Sequence, residues 1–268
     1  MSDERTRQDR AVIANPWQAL RRYTNARIAL GRAGDSLPTD AMLAFQLDHA
    51  RARDAVHLPF DSAGVAQQLQ AHGYEVIQVQ SAAPSRDVYL KRPDLGRRLD
   101  APSRQALEQR ARATNQTYDA AFVIADGLSA LAVHQHAVPL LLRVVPALGG
   151  LGWRIAPIVV AAQGRVALCD EIGALLRAEQ VAIVIGERPG LSVADSLGVY
   201  LTFAPHVGRT DADRNCISNI HPHGLSYDAA QQTLLYLMSQ ARRLKLTGVA
   251  LKDDRRAVDA LAHPVDEP

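Results

Sequence analysis

Apolar and polar positions change rhythm near residue 100. Upstream, helical stretches alternate with loops. Residues 17–30 read as a helix that stops at Gly31-Arg-Ala-Gly34, and a second begins after Pro38, with Thr39 as its cap, and runs toward Val56. Residues 73–80 add a strand, and residues 90–98 form a loop dense in arginine and punctuated by proline and glycine. From Ser103 onward, short apolar runs alternate with helical segments. The pattern predicts helices over 103–116, 128–145, 170–179, 192–201 and 227–246, with buried strands over 120–125, 155–161 and 182–185. Ser192 and Asp195 stand in a Ser-x-x-Asp arrangement that resembles a capping box. Strand–helix alternation at this spacing predicts an α/β fold with a C-terminal parallel sheet over 101–252 and a smaller, mainly helical N-terminal region over 15–100. Residues 1–14 read as a disordered arm and 253–268 as a flexible tail. No internal repeat interrupts the pattern.

Composition narrows the function classes. The chain has 268 residues, 47% of them hydrophobic and only 5% aromatic, so the core must be built from Ala, Val, Leu and Ile. A formal charge of +2 with mixed signs points away from nucleic acid and from an anionic membrane surface. Lys91, Lys245 and Lys252 are the only lysines, which leaves few candidates for Schiff-base chemistry. Cys169 and Cys216 make no disulfide framework and no metal-ligand spacing. The first ten residues are charged, unlike a secretory signal, and the apolar stretch 137–151 is interrupted by Pro139, Arg143 and Pro146 and is too short to span a bilayer. A cytoplasmic or compartment-lumen protein is expected.

The candidate chemistry gathers at strand ends. Val-Ala-Ile-Val-Ile stops at Gly186 and is followed by Glu187, Arg188, Pro189 and Gly190. A buried strand ending so delivers a carboxylate and a guanidinium to the carboxyl edge of a sheet, where ligands of open α/β folds sit; a strand running into an ordinary polar turn gives the same sequence. The predicted topology brings this edge together with Asp126–Gly127, Gln163–Gly164 and the segment from Cys216 to Asn219. A Gly-x-Gly-x-x-Gly fingerprint and a P-loop are both missing, and the Gly149-Gly150-Leu151-Gly152 run reads as a turn. His134 and His136 point in different directions on a helix. His221 and His223 share a loop but have no third ligand at suggestive spacing, so no metal site is expected. Ser192 lacks a nucleophile elbow, and Cys216 reads more simply as a small buried residue than as a reactive thiol. The picture is a ligand-binding edge without catalytic residues.

Several blocks together resemble the small subunit (light chain) family of ethanolamine ammonia-lyase. They include Asn15-Pro16-Trp17, the stretch from Ile28 to Arg32, Gly34-Asp-Ser-Leu-Pro-Thr39, and His49-Ala-Arg-Ala52. Further along come Asp87-Val-Tyr-Leu-Lys-Arg-Pro-Asp-Leu-Gly-Arg97, Ile124-Ala-Asp-Gly-Leu-Ser-Ala130, Ile185-Gly-Glu-Arg-Pro-Gly-Leu191 and Asp213-Arg-Asn-Cys-Ile-Ser-Asn-Ile-His221. The resemblance covers about residues 15–250. It implies a Rossmann-like, cobalamin-binding C-terminal domain in an adenosylcobalamin-dependent lyase that converts ethanolamine to acetaldehyde and ammonia by a radical mechanism. It implies activity only with a large subunit that holds ethanolamine and the catalytic groups, so no catalytic residue is assigned to this chain. Carried over by motif, the corrinoid contacts are Val166, Glu187 and Cys216, with Glu187 placed to accept from corrin amides. No Asp-x-His-x-x-Gly motif is present, so the cofactor keeps its own benzimidazole on cobalt. The segment between Glu187 and Cys216 is about one residue shorter than the family pattern, with 204–210 the variable part. The resemblance leaves open whether the enzyme is free in the cytoplasm or enclosed in a bacterial microcompartment. A self-sufficient hydrolase or transferase using the Glu187–Arg188 edge, and a non-catalytic cobalamin carrier or structural partner, remain the alternatives.

Overall fold

The computed structural model describes residues 12–254, so residues 1–11 of the expected arm and 255–268 of the expected tail lie outside the described residues. Its centre is a six-stranded sheet in the order β1-β3-β2-β4-β5-β6. The strands are β1 (Val76–Gln80), β2 (Tyr118–Ala125), β3 (Ile158–Ala162), β4 (Ala178–Gly186), β5 (Leu197–Phe203) and β6 (Arg214–Ile220). The first four run parallel, while β5 and β6 are antiparallel additions, β5 pairing along the whole exposed side of β4 from Gln180–Phe203 to Gly186–Leu197. The expected all-parallel sheet is therefore a mixed one.

Helices cover both faces, giving three layers. On one face lie α2 (Ser62–Ala71), α5 (Ala130–Gly150) and α7 (Tyr227–Leu244), packed on Ala120, Phe122 and Ile124 of β2 and on Val199 and Leu201 of β5. On the other lie α4 (Ala101–Thr114) and α6 (Leu168–Leu175), packed on Ala121, Val123 and Ala125 and on Ile183 of β4. The two helices α1 (Thr39–His57) and α3 (Arg86–Lys91) precede α4 outside this sandwich. By length and composition α5 could cross a membrane, but 56% of its apolar window is buried, against the sheet and α7. Its turn over Val133–Ala137 is a π-helix that ends two residues before Pro139, a local widening that accommodates a proline ring with no N–H to donate.

Five local expectations are corrected. Residues 17–30 are not a continuous helix; a 3-10 helix spans Pro16–Tyr23, capped by Asn15, and an irregular segment follows. Pro38, not Thr39, occupies the cap position of α1, and Thr39 is already helical. The arginine-rich loop begins inside α3, which Ser85 caps through the Val88 N–H. The expected helix over 192–201 is a loop followed by β5: Leu197, Val199, Leu201 and Phe203 alternate toward the core, a period of two that outweighs the capping signal. Its two supposed capping residues are used elsewhere. Ser192 Oγ donates to the Asn25 carbonyl at 3.4 Å, and Asp195 lies 3.2 Å from His136 Nε2. The helix expected over 170–179 also ends early, at Leu175, because Arg177 adopts φ 53° and turns the chain into β4.

Candidate functional site

Leaving β2, the chain passes to α5 on one face; leaving the adjacent β3, it passes to α6 on the other. Neighbouring strand ends whose continuations part in this way open a crevice at the carboxyl edge. Asp126 closes its floor. Its Oδ1 accepts from the Gly164 N–H at 3.0 Å, which ties the end of β2 to the end of β3, and its Oδ2 accepts from Arg86 Nη1 at 3.0 Å. Arg86 also donates to the carbonyls of Gly127 (2.8 Å) and Val56 (2.7 Å). Burial pushes the Asp126 carboxyl up to about 6, against the pull of the Arg86 charge and the Gly164 N–H. Gly127 and Gly186 make the close approach of β2 and β4 possible: Leu128 N–H donates to the Gly186 carbonyl at 2.9 Å, and a side chain on either glycine would collide with the other turn's backbone.

Above this floor lies a cleft of about 430 Å³, lined by Tyr89, Gly127, Arg165, Val166, Glu187 and Tyr200 among others. Tyr89 is fully buried, and its hydroxyl donates to the Gly164 carbonyl at 3.2 Å. Arg86 and Arg165 lie against its ring at 4.8 and 4.3 Å. Glu187, at the end of β4, accepts from Ser196 Oγ at 2.5 Å and from the Asn219 N–H at 3.3 Å, both through Oε2. Its carboxylate is thereby held toward β5 and β6 while Oε1 keeps acceptor capacity for a ligand. Buried polar atoms without a protein partner include Gln163 Oε1 and Arg165 Nε.

Of the three residues assigned by motif, Val166 and Glu187 line the cleft together, and Cys216 lies one strand away. Cys216 pairs across the ladder with Tyr200, which lines the cleft; burial, followed by the neighbouring Cys216 and Glu187, raises the Tyr200 hydroxyl above the usual phenol range. The reading of Cys216 as a small buried residue is corrected: it is exposed, its Sγ 3.1 Å from Ser218 Oγ. The reason is architectural. On that face α6 reaches β5 and β6 only at their Thr202–Arg214 end, through Asp170, so farther along these strands Tyr200 is half-buried and Cys216 and Ser218 are open.

The histidine pairs are divided by their surroundings. His134 Nε2 accepts the Asp61 N–H at 3.0 Å, and buried His136 meets Tyr227 Oη at 2.6 Å. His221 is buried beside Asn219 at 2.8 Å, and His223 is exposed. Among the described residues no group of three or more His, Cys, Asp or Glu side chains is arranged to hold a metal ion. Sequence reasoning missed Arg86, Tyr89, Arg165 and Tyr200. The first two flank and enter the block that starts at Asp87, and Arg165 directly precedes Val166, so adjacency to the family blocks was the available signal. Chemically, the cleft offers one oriented carboxylate, aromatic and aliphatic walls and guanidinium groups.

Comparison with known proteins gives a single answer. The profile of the ethanolamine ammonia-lyase light chain (EutC) matches residues 14–252. The chain is 59% identical over 253 residues to the ethanolamine ammonia-lyase small subunit of Ralstonia nicotianae, covering 94% of each chain. It is 58% identical over 247 residues to that of Pseudomonas syringae pv. tomato, covering 92% of this chain and 86% of the relative. The small subunit of Azotobacter vinelandii is 58% identical over 240 residues, covering 90% and 89%.

Proposed function

The chain belongs to the ethanolamine ammonia-lyase light chain family, and from that premise we propose that its carboxyl-edge cleft binds adenosylcobalamin against the enzyme's large subunit. Its role is that of the small subunit of this carbon–nitrogen lyase. The observation that carries the cofactor reading is the meeting of Val166 and Glu187 in one cleft whose wall, Tyr200, is the ladder partner of Cys216. The residues fit the group. Corrin side-chain amides present N–H donors, and Glu187 has an oxygen free to accept them; Val166 and the Tyr200 ring suit the apolar ring edge. Cys216 contributes apolar contact from the open face of β6.

When bound, adenosylcobalamin supplies a homolytically labile cobalt–carbon bond and with it the radical chemistry that removes ammonia from ethanolamine, giving acetaldehyde. This chain's residues bind and orient. Ser196 and the Asn219 N–H fix the Glu187 carboxylate, Asp126 and Arg86 fix the turn on which Gly127 stands, and the wall of Tyr89 and Val166 excludes water from one side. No residue of the chain is given a proton-transfer step. Ethanolamine and the catalytic groups are assigned to the large subunit, in a cytoplasmic hetero-oligomer. The binding unit is the Rossmann-like sheet with its helices, and the N-terminal segment is read as the large subunit's docking surface, because Trp17, Leu20, Tyr23, Leu43 and Phe45 are exposed there.

The test is co-expression of this chain with and without the large subunit, followed by an assay for adenosylcobalamin-dependent acetaldehyde release. Activity only with both chains and cofactor is expected. Turnover of ethanolamine by this chain alone would overturn the division of labour.

A further inference from the structure

His136 is buried in the π-helical turn of α5 and has no part in the lining of the cleft. Its two ring nitrogens reach two different loops. Nε2 lies 3.2 Å from Asp195 Oδ2, near the end of the loop that joins β4 to β5, and Nδ1 lies 2.6 Å from Tyr227 Oη, at the first residue of α7. A carboxylate only accepts, so the proton sits on Nε2, and that tautomer leaves Nδ1 to accept from the Tyr227 hydroxyl. One tautomer thus satisfies both contacts. Both loops also end on the carboxylate of Glu187. Asp195 directly precedes Ser196, whose hydroxyl donates to Glu187 Oε2 at 2.5 Å and whose carbonyl accepts the Glu187 N–H at 2.9 Å. Ser129, which caps the start of α5, ties the same loop by donating to the Ala194 carbonyl at 2.8 Å. Tyr227 closes the loop that leaves β6. There the Leu225 N–H donates to the Asn219 carbonyl at 2.7 Å, and the Asn219 N–H donates to Glu187 Oε2 at 3.3 Å. Asn219 holds φ 63° where β6 carries one residue more than β5, between the Leu197–Ile220 and Val199–Ile217 pairs. A left-handed residue of this kind persists only where its surroundings fix it.

We propose that His136 is a positioning residue: it locks the β4–β5 loop to the β6–α7 loop and thereby holds the Glu187 carboxylate ready for the cofactor's amides. The inference rests on the cofactor reading of Glu187 above. A hydrogen-bonded histidine that only filled its place in the core would stabilise the fold without reference to Glu187. The two roles differ in one respect. A positioning residue loses its effect on binding when the group that it positions is removed, and a purely structural one does not.

The experiment is a double-mutant cycle on the assembled two-subunit complex. Adenosylcobalamin binding is measured in the dark by equilibrium dialysis and read from corrin absorbance. His136→Phe keeps an aromatic ring and removes both hydrogen bonds. It should weaken binding about tenfold, the scale of one lost intramolecular hydrogen bond. In the Glu187→Ala background the same change should alter affinity by less than about twofold, because no carboxylate is left to position. Asp195→Ala, at a partly exposed position, should repeat the pattern and carries the cycle by itself if His136→Phe does not fold. Asp195→Asn, whose amide oxygen still accepts from Nε2, should restore most of the affinity. Losses that add across the cycle would make His136 a structural residue and overturn the proposal. Unchanged affinity in either His136→Phe or Asp195→Ala would overturn it too, and both results leave the Glu187 contact standing. Unchanged affinity in Glu187→Ala itself would remove the cofactor reading of Glu187 and the positioning role with it.

Discussion

Between Val12 and Leu58 only Pro38 and Ala55 are buried, whereas in β2 every residue from Asp119 to Ala125 is. Both regions are well supplied with apolar side chains. In the sheet each apolar face meets a helix layer of the same chain, and in the N-terminal segment Val12, Trp17, Leu20, Tyr23, Leu43 and Leu47 face outward. The difference separates two uses of hydrophobicity. Alternation matched to a sheet stabilises this chain by itself, while apolar side chains left on the outside add little to the fold of the chain alone. The Arg27–Asp48 pair holds the segment to itself, and the segment is attached to the body at definite points: Ser192 meets the Asn25 carbonyl, and Arg86 holds the end of α1 through Val56. It is ordered against the body without contributing to its core.

The largest effects should therefore come from the body. Arg214 and Asp170 form a bidentate pair in which both side chains are 1% exposed, joining β6 to α6, with Thr202 Oγ1 2.9 Å from the same guanidinium. Arg214→Ala leaves Asp170 buried and unpaired and should cost about 3–5 kcal/mol of stability, read as a drop in the urea midpoint. Replacing both by apolar residues, Asp170→Leu with Arg214→Met, should recover much of that loss, since desolvation of the pair offsets most of its attraction. A single and a double variant of equal stability would refute this account of the β6–α6 contact.

Asp126 gives the next effect, and its sign is unusual for a carboxylate. The native pKa is raised from 3.8 to about 6, so between these values the native state binds a proton that the unfolded chain has released. This contribution favours the fold below pH about 4 and is lost as pH rises through about 6, a swing of roughly 3 kcal/mol if the two-unit shift is fully expressed. Asp126→Asn should remove it. The stability of the natural chain relative to the variant should accordingly be greater at pH 4.5 than at pH 7. A pH-independent difference would mean that Arg86 and the Gly164 N–H fully compensate burial.

At the cleft, Glu187→Ala should weaken cobalamin binding by the assembled enzyme by about 1–3 kcal/mol, the range for removing one buried hydrogen-bonding partner. Glu187→Gln should lose less, because an amide oxygen can still accept from Ser196 and the Asn219 N–H. Unchanged affinity in Glu187→Ala would take Glu187 out of the site.

The cleft was more legible than the strand count. Buried runs such as β2 and β4 announce themselves by length and composition, and their abrupt ends at Asp126–Gly127 and Gly186–Glu187 mark the edge. The antiparallel strand β5 was missed because Ser192 and Asp195 imitate a helix start while Leu197 to Phe203 alternates with only a modest polar face, Gly198, Tyr200 and Thr202. That error also hid why Cys216 is exposed, since α6 reaches β6 only at Arg214 and leaves the strand open beyond it. Arg86 and Tyr89 could not be placed from sequence, because their partners Asp126 and Gly164 are 40 and 75 residues away.

The smallest effect on the fold should come from the outer segment, and it tests the opening contrast most directly. Trp17 is 66% exposed and Leu43 58%. Trp17→Ser with Leu43→Ser removes large apolar groups that touch little of this chain, so stability of the isolated chain should move by no more than about 0.5 kcal/mol. The same variant should weaken association with the large subunit, measured by dissociation of the purified complex on dilution, because burial withheld from the core is then lost at the interface. Loss of stability on the scale of a core truncation would show that the segment belongs to the folded body. Unchanged association would assign its apolar face to something other than the large subunit.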